Sequence, residues 1–403
     1  MKQFGLVVLT LLVSLTIGEA AVAAESAVPE PFQRFDDNSN YAINYDELTA
    51  LLKTVVVDVG RSNRRVVKPA ADVTGTRMKT KIKKTANEGN RFYFETFKDD
   101  EAAQKFLRDI QVSLEQLPSE APLEYFSRDE QLAYWLNLYN VTVLNEIIAV
   151  YPKNSLKKYF RGKKSIFEKE LLTVSGVSLS LHDIQFTILK QNYDNDPLII
   201  YGLYQGIIGG PNIRKTAYTG ADVYRALKNN ASEFVNSNRG TYARDEKTFR
   251  ASSLYDRNSA YFPKFQSDLS KHLLQYLEGR ERSALETTNK IKTNIDDWEL
   301  TDLGGSHQRV GGSFATSRAA LLDSVKSTTP MDGGGVMGAT AAYGSATMAS
   351  KGRHLSRIEP ELLAVLHELD EKRKAENLRN ASVTIGDVDD TSAETASDEE
   401  ENK

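Results

Sequence analysis

The segment Arg128–Val150 constrains the fold of this chain most, because it is a long helical pattern whose apolar residues cover more than one side. Ser127 and Glu130 have the spacing of a capping box at its start, and Pro152 ends it. The apolar positions are Leu132, Trp135, Leu136, Tyr139, Val143, Leu144, Ile147 and Ile148. A helix of this kind is packed on several sides. The sequence therefore predicts a central buried helix.

Shorter patterns around this helix predict a mixture of helices and small strands. Residues Asn44–Val57 are predicted as a helix that runs into a strand, Arg91–Phe97 as a strand, and Leu171–Leu181 as a hairpin that turns at Ser175-Gly176. Further helices are predicted over Asp99–Leu117, Leu181–Lys190, Ala221–Val235 and Phe265–Leu277, with a hairpin around Asp245-Glu246. The predicted fold class is α+β: a helix-rich single domain, residues 36–303, with small antiparallel strands and a disordered C-terminal tail.

The first residues have the pattern of a secretory signal peptide, predicted over 1–23. Lys2 precedes the apolar run Phe4–Ile17, and Ala21-Val22-Ala23 is a small-residue cleavage pattern, so we expect cleavage near Ala23. The apolar run is shorter than the about 20 residues that a membrane-spanning helix needs, so no transmembrane segment is expected in the mature chain. Residues 24–35 are predicted to be a linker. We expect a periplasmic or secreted protein.

The last hundred residues are poor in large apolar side chains. Residues 304–356 are predicted to be a low-complexity linker, because segments rich in Gly, Ser, Thr and Ala bury too little apolar area to offset their ordering entropy. An amphipathic helix is predicted over 357–379, where Pro360–Leu378 could contact the domain or a partner protein. Residues 380–403 are predicted to be an acidic disordered tail.

Charge and residue types exclude several function classes. The net charge of -4 gives no support to a nucleic-acid partner, and we expect none. The chain has no Cys, so disulfides and thiol chemistry are excluded, and its five His have no metal-ligand spacing. No cofactor is predicted. Two basic stretches, Arg61–Lys84 and Lys157–Lys169, are either solvated surface or a contact for an anionic envelope polymer or lipid.

A family resemblance begins in the central helix. The run Trp135-Leu-Asn137-Leu-Tyr139-Asn140 resembles the central motif of the domain-of-unknown-function 547 (DUF547) family. Other blocks are similar in the family's order: Asn44-Tyr45 with Leu51-Leu52, Tyr151-Pro152, Leu179–Ile184, and Asp297-Trp298-Glu299-Leu300. Because several ordered blocks match, the resemblance extends over Asp36–Asp302 and implies a shared fold.

Three positions depart from the family pattern. The resemblance implies a His in the helix after the hairpin, where this chain has Phe186, and two Cys near a glycine-rich turn, where it has Gln205 and Gly210. If relatives use Cys and His as nucleophile and base, these replacements remove that mechanism, since Gln and Phe neither ionise nor relay protons. The first hypothesis is therefore a catalytically degenerate domain that binds or scaffolds an unknown envelope partner or ligand.

An alternative hypothesis is a thiol-independent hydrolase or transferase acting on an envelope substrate. Its candidate residues are Asn137, Asn140, His182, Asp183 and Gln205, which would have to converge in one cleft. Each also has a structural interpretation. Buried Asn amides in a helix tie neighbouring loops by hydrogen bonds, and an Asp such as Asp183 is common at a helix start.

A second alternative is a calcium-binding module. The segment Asp36–Glu47 places oxygen ligands at calcium-loop positions, and the weak metal candidates are Asp36, Asn38, Asn40 and Glu47. The sixth position, where a calcium loop needs Gly, is Tyr41. The other interpretation is a coincidental match at the start of a helix.

Overall fold

The computed structural model describes residues 27–303, apart from 66–82, 86–87, 99, 154, 163–164, 246–247 and 289. Ten α-helices follow one another in these residues: α1 Asp46–Val55, α2 Glu95–Lys98, α3 Glu101–Glu120, α4 Arg128–Ile148, α5 Lys157–Phe160, α6 Lys190–Asn192, α7 Val223–Val235, α8 Ser253–Arg257, α9 Phe265–Leu274 and α10 Gly279–Thr287. The 3-10 turns are Glu30–Phe32, Leu123–Tyr125, Ile166–Glu168, Pro197–Gly202 and Ser259–Tyr261. A π-helical segment, Asp183–Leu189, runs directly into α6.

Short strands form three small sheets in this part of the chain. They are β1 Val56–Val57, β2 Arg91–Phe92, β3 Glu170–Val174, β4 Val177–Ser180, β5 Thr241–Asp245, β6 Thr248–Ser252 and β7 Ile291–Ile295. The pairs β1–β2, β3–β4 and β5–β6 are antiparallel, whereas β7 lies parallel to β6. The β3–β4 hairpin turns at Ser175 and Gly176, both with positive φ, as the tight two-residue hairpin turns require.

The central helix α4 lies in the middle of one hydrophobic core. Every side chain from Glu130 to Tyr139 is buried. The core extends from Val28 to Leu300 and includes residues of α1, α3, α7 and α9. The prediction of a helix-rich α+β fold with a central buried helix and small antiparallel strands is confirmed.

The start of α4 differs from a complete capping box. The Ser127 hydroxyl accepts the Glu130 N–H at 3.2 Å, as the pattern predicts. The Glu130 carboxylate, however, accepts the N–H groups of Ile43 and Gly220 at 3.1 and 2.9 Å. Burial raises the pKa of Glu130, and these two donors lower it in part. A residue predicted to be a local cap therefore joins two distant segments.

Two predicted segments are different in the structure. Only Arg91 and Phe92 of the predicted strand Arg91–Phe97 pair in a sheet, and α2 begins at Glu95. The rings of Phe92, Phe94 and Phe97 are buried and pack on one another, with the Phe92 and Phe94 centroids 4.5 Å apart. Within the predicted linker 24–35, Phe32 is fully buried, and its ring makes a T-shaped contact with the Trp135 ring at a centroid distance of 4.9 Å.

The predicted signal peptide, low-complexity linker, C-terminal helix and acidic tail lie outside the described residues. Most of the basic stretch Arg61–Lys84 does so as well. None of the helices given above combines the length and apolarity that crossing a bilayer requires.

Candidate functional site

Gln205 and Gly210, two of the positions at which the family resemblance implies Cys, lie side by side. A Cβ added to Gly210 would lie 3.5 Å from the Cβ of Gln205. The chain just before Gln205 is held by α4, since the Asn140 carboxamide donates to the Gly202 carbonyl at 3.0 Å and accepts the Tyr204 N–H at 2.9 Å. The position of Gln205 is therefore fixed relative to the central helix.

The loop after Gln205 is joined to the segment around Trp298 by backbone hydrogen bonds. The Ile208 N–H donates to the Glu299 carbonyl at 2.8 Å, and the Gly209 N–H donates to the Asp297 carbonyl at 2.8 Å. A Cβ on Gly209 would lie 2.7 Å from that Asp297 oxygen, so the close approach requires glycine. Two blocks that carry the family resemblance thus meet at one place.

The Gln205 side chain is bound by an arginine. Arg257, the last residue of α8, donates from Nη2 to Gln205 Oε1 at 2.9 Å and from Nη1 to Ser253 Oγ at 2.7 Å. Its guanidinium lies over the Trp298 ring at 4.6 Å, and that of Arg161 lies over the same ring at 5.3 Å. We call Gln205, Gly210, Arg257 and Trp298 the Gln205 centre.

Burial controls the electrostatics of this centre. It lowers the pKa of Arg257 to about 10, an effect that the neighbouring positive charge of Arg161 reinforces and Asp296 opposes. Arg257 therefore remains protonated at neutral pH and acts as a hydrogen-bond donor, not as a base. Burial likewise raises the pKa of Tyr139 on α4, and the described part of the chain offers its hydroxyl no hydrogen-bond partner.

Phe186, the position at which the resemblance implies His, belongs to an aromatic cluster. Its ring centroid lies 4.9 Å from His182, 6.0 Å from Phe167 and 5.9 Å from Tyr261. Tyr261 interacts electrostatically with Tyr139, which in turn interacts with Arg257.

The remaining candidate residues make structural contacts. The Asn137 carboxamide donates to the Tyr218 carbonyl at 2.8 Å and accepts its N–H at 2.9 Å. Asp183 accepts both the N–H and the hydroxyl of Ser180, at 2.9 and 2.6 Å. These contacts agree with the structural interpretation of the three residues, and Asn137 and Asn140 hold two different loops.

Comparison with known proteins identifies the family of the central region. A family model described as "Protein of unknown function, DUF547" matches residues 123–235, from the 3-10 turn before α4 to the end of α7. This match over residues 123–235 supports a DUF547 family protein. No curated protein and no solved structure matches the chain. Within the DUF547 match lie α4, the hairpin, Phe186, Gln205 and Gly210.

The calcium candidates lie beside the start of the DUF547 match. Asp36, Asn38 and Asn40 are exposed, the Asn38 N–H donates to Asp36 Oδ1 at 3.0 Å, and Glu47 lies in the first turn of α1. A cavity of about 500 Å³ separates this loop from the start of α4 and is lined by Asp37, Asn40 and Asp129 among others. Within the described residues no three His, Asp or Glu side chains form a group that could hold a metal. Calcium binding stays a prediction.

Sequence reasoning missed most of the Gln205 centre. In the sequence, Trp298 was identified only as part of a family block, and its contacts with two guanidinium groups have no local sequence signal. Arg257 lies in a short helix that no apolar periodicity marks, because α8 spans only five residues. A side chain that reaches across 52 positions of the chain to Gln205 is a tertiary contact, which pattern reasoning along the sequence does not detect.

Proposed function

We propose that this DUF547 protein is an exported, non-catalytic binding domain of the bacterial cell envelope. The observation that carries this proposal is the hydrogen bond between Arg257 and Gln205. Gln205 stands where the family resemblance implies a Cys, and its neutral amide is held by the protonated guanidinium of Arg257. Such a pair orients and binds, but it has no group that can attack a substrate.

The Gln205 centre also has no base in the position that the resemblance implies. Phe186 cannot accept a proton, and the neighbouring Tyr139 is kept protonated by burial. Arg257 keeps its proton at neutral pH as well. Nucleophilic catalysis needs an activated nucleophile and a base within hydrogen-bond reach, and this set of side chains supplies neither.

The alternative of a thiol-independent enzyme is disfavoured because the side chains of Asn137, Asn140 and Asp183 already form hydrogen bonds within the protein. Both amide atoms of Asn137 bind the backbone of Tyr218, and those of Asn140 bind Gly202 and Tyr204. Asp183 binds Ser180, three residues before it in the chain. Groups that satisfy buried backbone atoms cannot leave them for a substrate without a loss of about 1 to 3 kcal/mol each.

Export is supported by the sequence of residues 1–23. A basic residue, a short apolar run and a small-residue cleavage pattern are typical of a secretory signal peptide. The absence of Cys from the whole chain is compatible with an oxidising compartment, where an unpaired thiol is a liability.

The proposal is tested with the purified full chain and an Arg257→Met variant. Both are incubated with p-nitrophenyl acetate and with isolated peptidoglycan sacculi, and released nitrophenol and soluble fragments are measured. We expect both proteins to release no more nitrophenol and no more soluble fragments than the buffer blank. Turnover by the wild-type chain that falls at least tenfold in Arg257→Met would show an enzyme and overturn the proposal.

Export is measured separately in a bacterial host. The chain is isolated from cell fractions, and the mass of its N-terminal peptide is determined. We expect a chain that begins near Ala24 in the periplasmic or extracellular fraction. A cytoplasmic chain that retains residues 1–23 would contradict the export part of the proposal.

A further inference from the structure

A second cavity, of about 470 Å³, lies against the β5–β6–β7 sheet, on the part of the chain that precedes and follows the DUF547 match. Its walls include Lys84, Asn238, Tyr242, Arg250, Asn294 and Asp296. Arg250 of β6 is paired across the sheet with Tyr242 of β5 and with Lys292 of β7. Directly paired residues point to the same face of a sheet, so the three side chains share one face.

Two buried nitrogen donors at this cavity have no hydrogen-bond partner among the residues that the structure describes. Asn238 is 6% exposed and its Nδ2 is unpartnered, although its own N–H donates to Glu88 at 2.9 Å. The Nε of Arg250 is also buried and unpartnered. A buried donor without an acceptor costs about 1 to 3 kcal/mol, which a ligand oxygen at this place would recover.

The acidic residues near the cavity are already compensated. Lys83 Nζ lies 2.8 Å from both Asp297 and Glu299. The Asp296 carboxylate accepts the Ser253 hydroxyl and is attracted to Arg257. Lys83 thus offsets Asp297 and Glu299, and the Asp296 carboxylate is directed to Ser253 and Arg257 instead of Lys84 or Arg250.

Lys84 and Arg250 therefore provide the uncompensated charge. Within the described residues neither of them forms an ion pair. The Lys84 ammonium lies 3.8 Å from the centre of the Tyr242 ring, which places it at the cavity while its side chain remains exposed. Two cations and an unpartnered amide N–H are donors only, so they match an anion whose oxygens accept hydrogen bonds.

We propose that this cavity binds the oxyanion group, phosphoryl or carboxyl, of a small molecule, with Lys84, Arg250 and Asn238 Nδ2 as the donors. The inference deepens the proposed function, because it gives the binding domain a ligand class and a place for it. No residue of the Gln205 centre lines this cavity. Asp296 links the two places, because it lines the cavity and its carboxylate also accepts the hydroxyl of Ser253, a contact of Arg257.

The test titrates the full chain with inorganic phosphate and, in a second arm, with acetate, at constant ionic strength in chloride. Constant ionic strength separates a specific site from general charge screening. Binding is followed as a saturable rise of the unfolding temperature, since a ligand of the folded state stabilises it. The variants are Lys84→Met and Arg250→Gln, and the matched control is Lys271→Met, an exposed lysine of α9 far from the cavity wall in sequence.

We expect saturable binding of at least one anion, unchanged in Lys271→Met and at least tenfold weaker in Lys84→Met and Arg250→Gln. The arm with the lower Kd identifies the group as phosphoryl or carboxyl. Absence of saturable binding in both arms, or equal Kd in Lys84→Met, overturns the inference. Lys84 is exposed, so that variant decides the matter even if Arg250→Gln does not fold. Neither result changes the turnover assay, which tests the proposed function alone.

Discussion

The Asn137 carboxamide hydrogen-bonds both backbone groups of Tyr218, donating to the carbonyl at 2.8 Å and accepting the N–H at 2.9 Å. One turn later, Asn140 makes the same two kinds of bond to Gly202 and Tyr204. The central helix therefore holds two loops through amides, and the second of these loops leads directly into Gln205.

Replacement of Asn137 should destabilise the fold without altering its net charge. Asn137→Ala leaves the buried Tyr218 N–H and carbonyl unsatisfied, so we expect a loss of about 2 to 4 kcal/mol in the free energy of unfolding. The matched control is Asn229→Ala, at an exposed position of α7, which should change stability by less than about 0.5 kcal/mol. Urea unfolding followed by circular dichroism measures both. Equal effects would show that the Tyr218 contacts contribute nothing.

Stability should depend on pH through His272. This side chain is 5% exposed, bonds the Tyr201 hydroxyl at 2.9 Å, and has its pKa lowered by burial from 6.5 to about 4. As pH falls below 6.5 the unfolded chain binds a proton and the folded chain does not, so stability present above pH 6.5 is lost down to pH 4. The full loss is about 3 kcal/mol.

The measurement for His272 is the difference in unfolding free energy between wild type and His272→Gln from pH 8 to about pH 4. The difference removes the titration of other groups, which the two proteins share. We expect the wild type to lose stability relative to the variant as pH falls. If the unfolding free energies of the two proteins change with pH in the same way, His272 has an ordinary pKa in the folded chain.

A thiol placed in the Gln205 centre should be acidic. The chain has no Cys, so Gln205→Cys introduces a single reporter beside the Arg257 guanidinium. A neighbouring cation lowers a thiol pKa below its ordinary value of about 8.5, whereas apolar burial raises it. We expect the cation to dominate. Thiolate absorbance in the ultraviolet, titrated against pH, gives the value.

The control for the thiol experiment is the double variant Gln205→Cys with Arg257→Met. Its thiol pKa should be higher than that of the single variant, because only burial remains. If the thiol pKa is the same in the two variants, Arg257 does not act on this position and the geometry of the Gln205 centre is wrong.

The contact between the Gln205 loop and the segment around Trp298 should be intolerant of a side chain at Gly209. A Cβ there would lie 2.7 and 2.9 Å from backbone atoms of Asp297, which cannot rotate away. We expect Gly209→Ala to cost more than about 2 kcal/mol. Gly279→Ala, at a positive φ with no neighbour within 4 Å, should cost about 1 kcal/mol. The urea midpoints of the two variants measure these losses. A smaller loss in Gly209→Ala than in Gly279→Ala would contradict the close approach of Gly209 to Asp297.

Local patterns predicted the elements whose character is set by their own residues. The central helix, the hairpin at Ser175-Gly176 and the helix ending at Val235 were all predicted within a few residues, because apolar periodicity and turn residues act locally. The strand Arg91–Phe97 was predicted too long: Arg91 and Phe92 do pair with β1. Phe94 and Phe97 are buried by ring packing instead of in a sheet, because aromatic enrichment signals burial and not strand pairing alone.

The candidate site was predicted only in part. The family resemblance supplied Gln205, Gly210 and Phe186, and the first two are neighbours in the structure. Arg257 could not be predicted, since its role depends on a contact between segments 52 positions apart. Glu130 shows the same limit: its local capping pattern was correct at Ser127, but its carboxylate binds backbone that only the fold brings near.

The edge contact of Phe32 with Trp135 bears on how the molecule can be divided for study. Phe32 lies well upstream of residues 123–235, and within that stretch the Tyr134 hydroxyl donates to the Leu114 carbonyl of α3, which also lies upstream. A fragment excised at the limits of the family match would leave part of the buried surface of α4 uncovered and prone to aggregate. Recombinant production should therefore begin before Val28, which belongs to the core, and continue through Leu303, whose N–H donates to the Phe92 carbonyl.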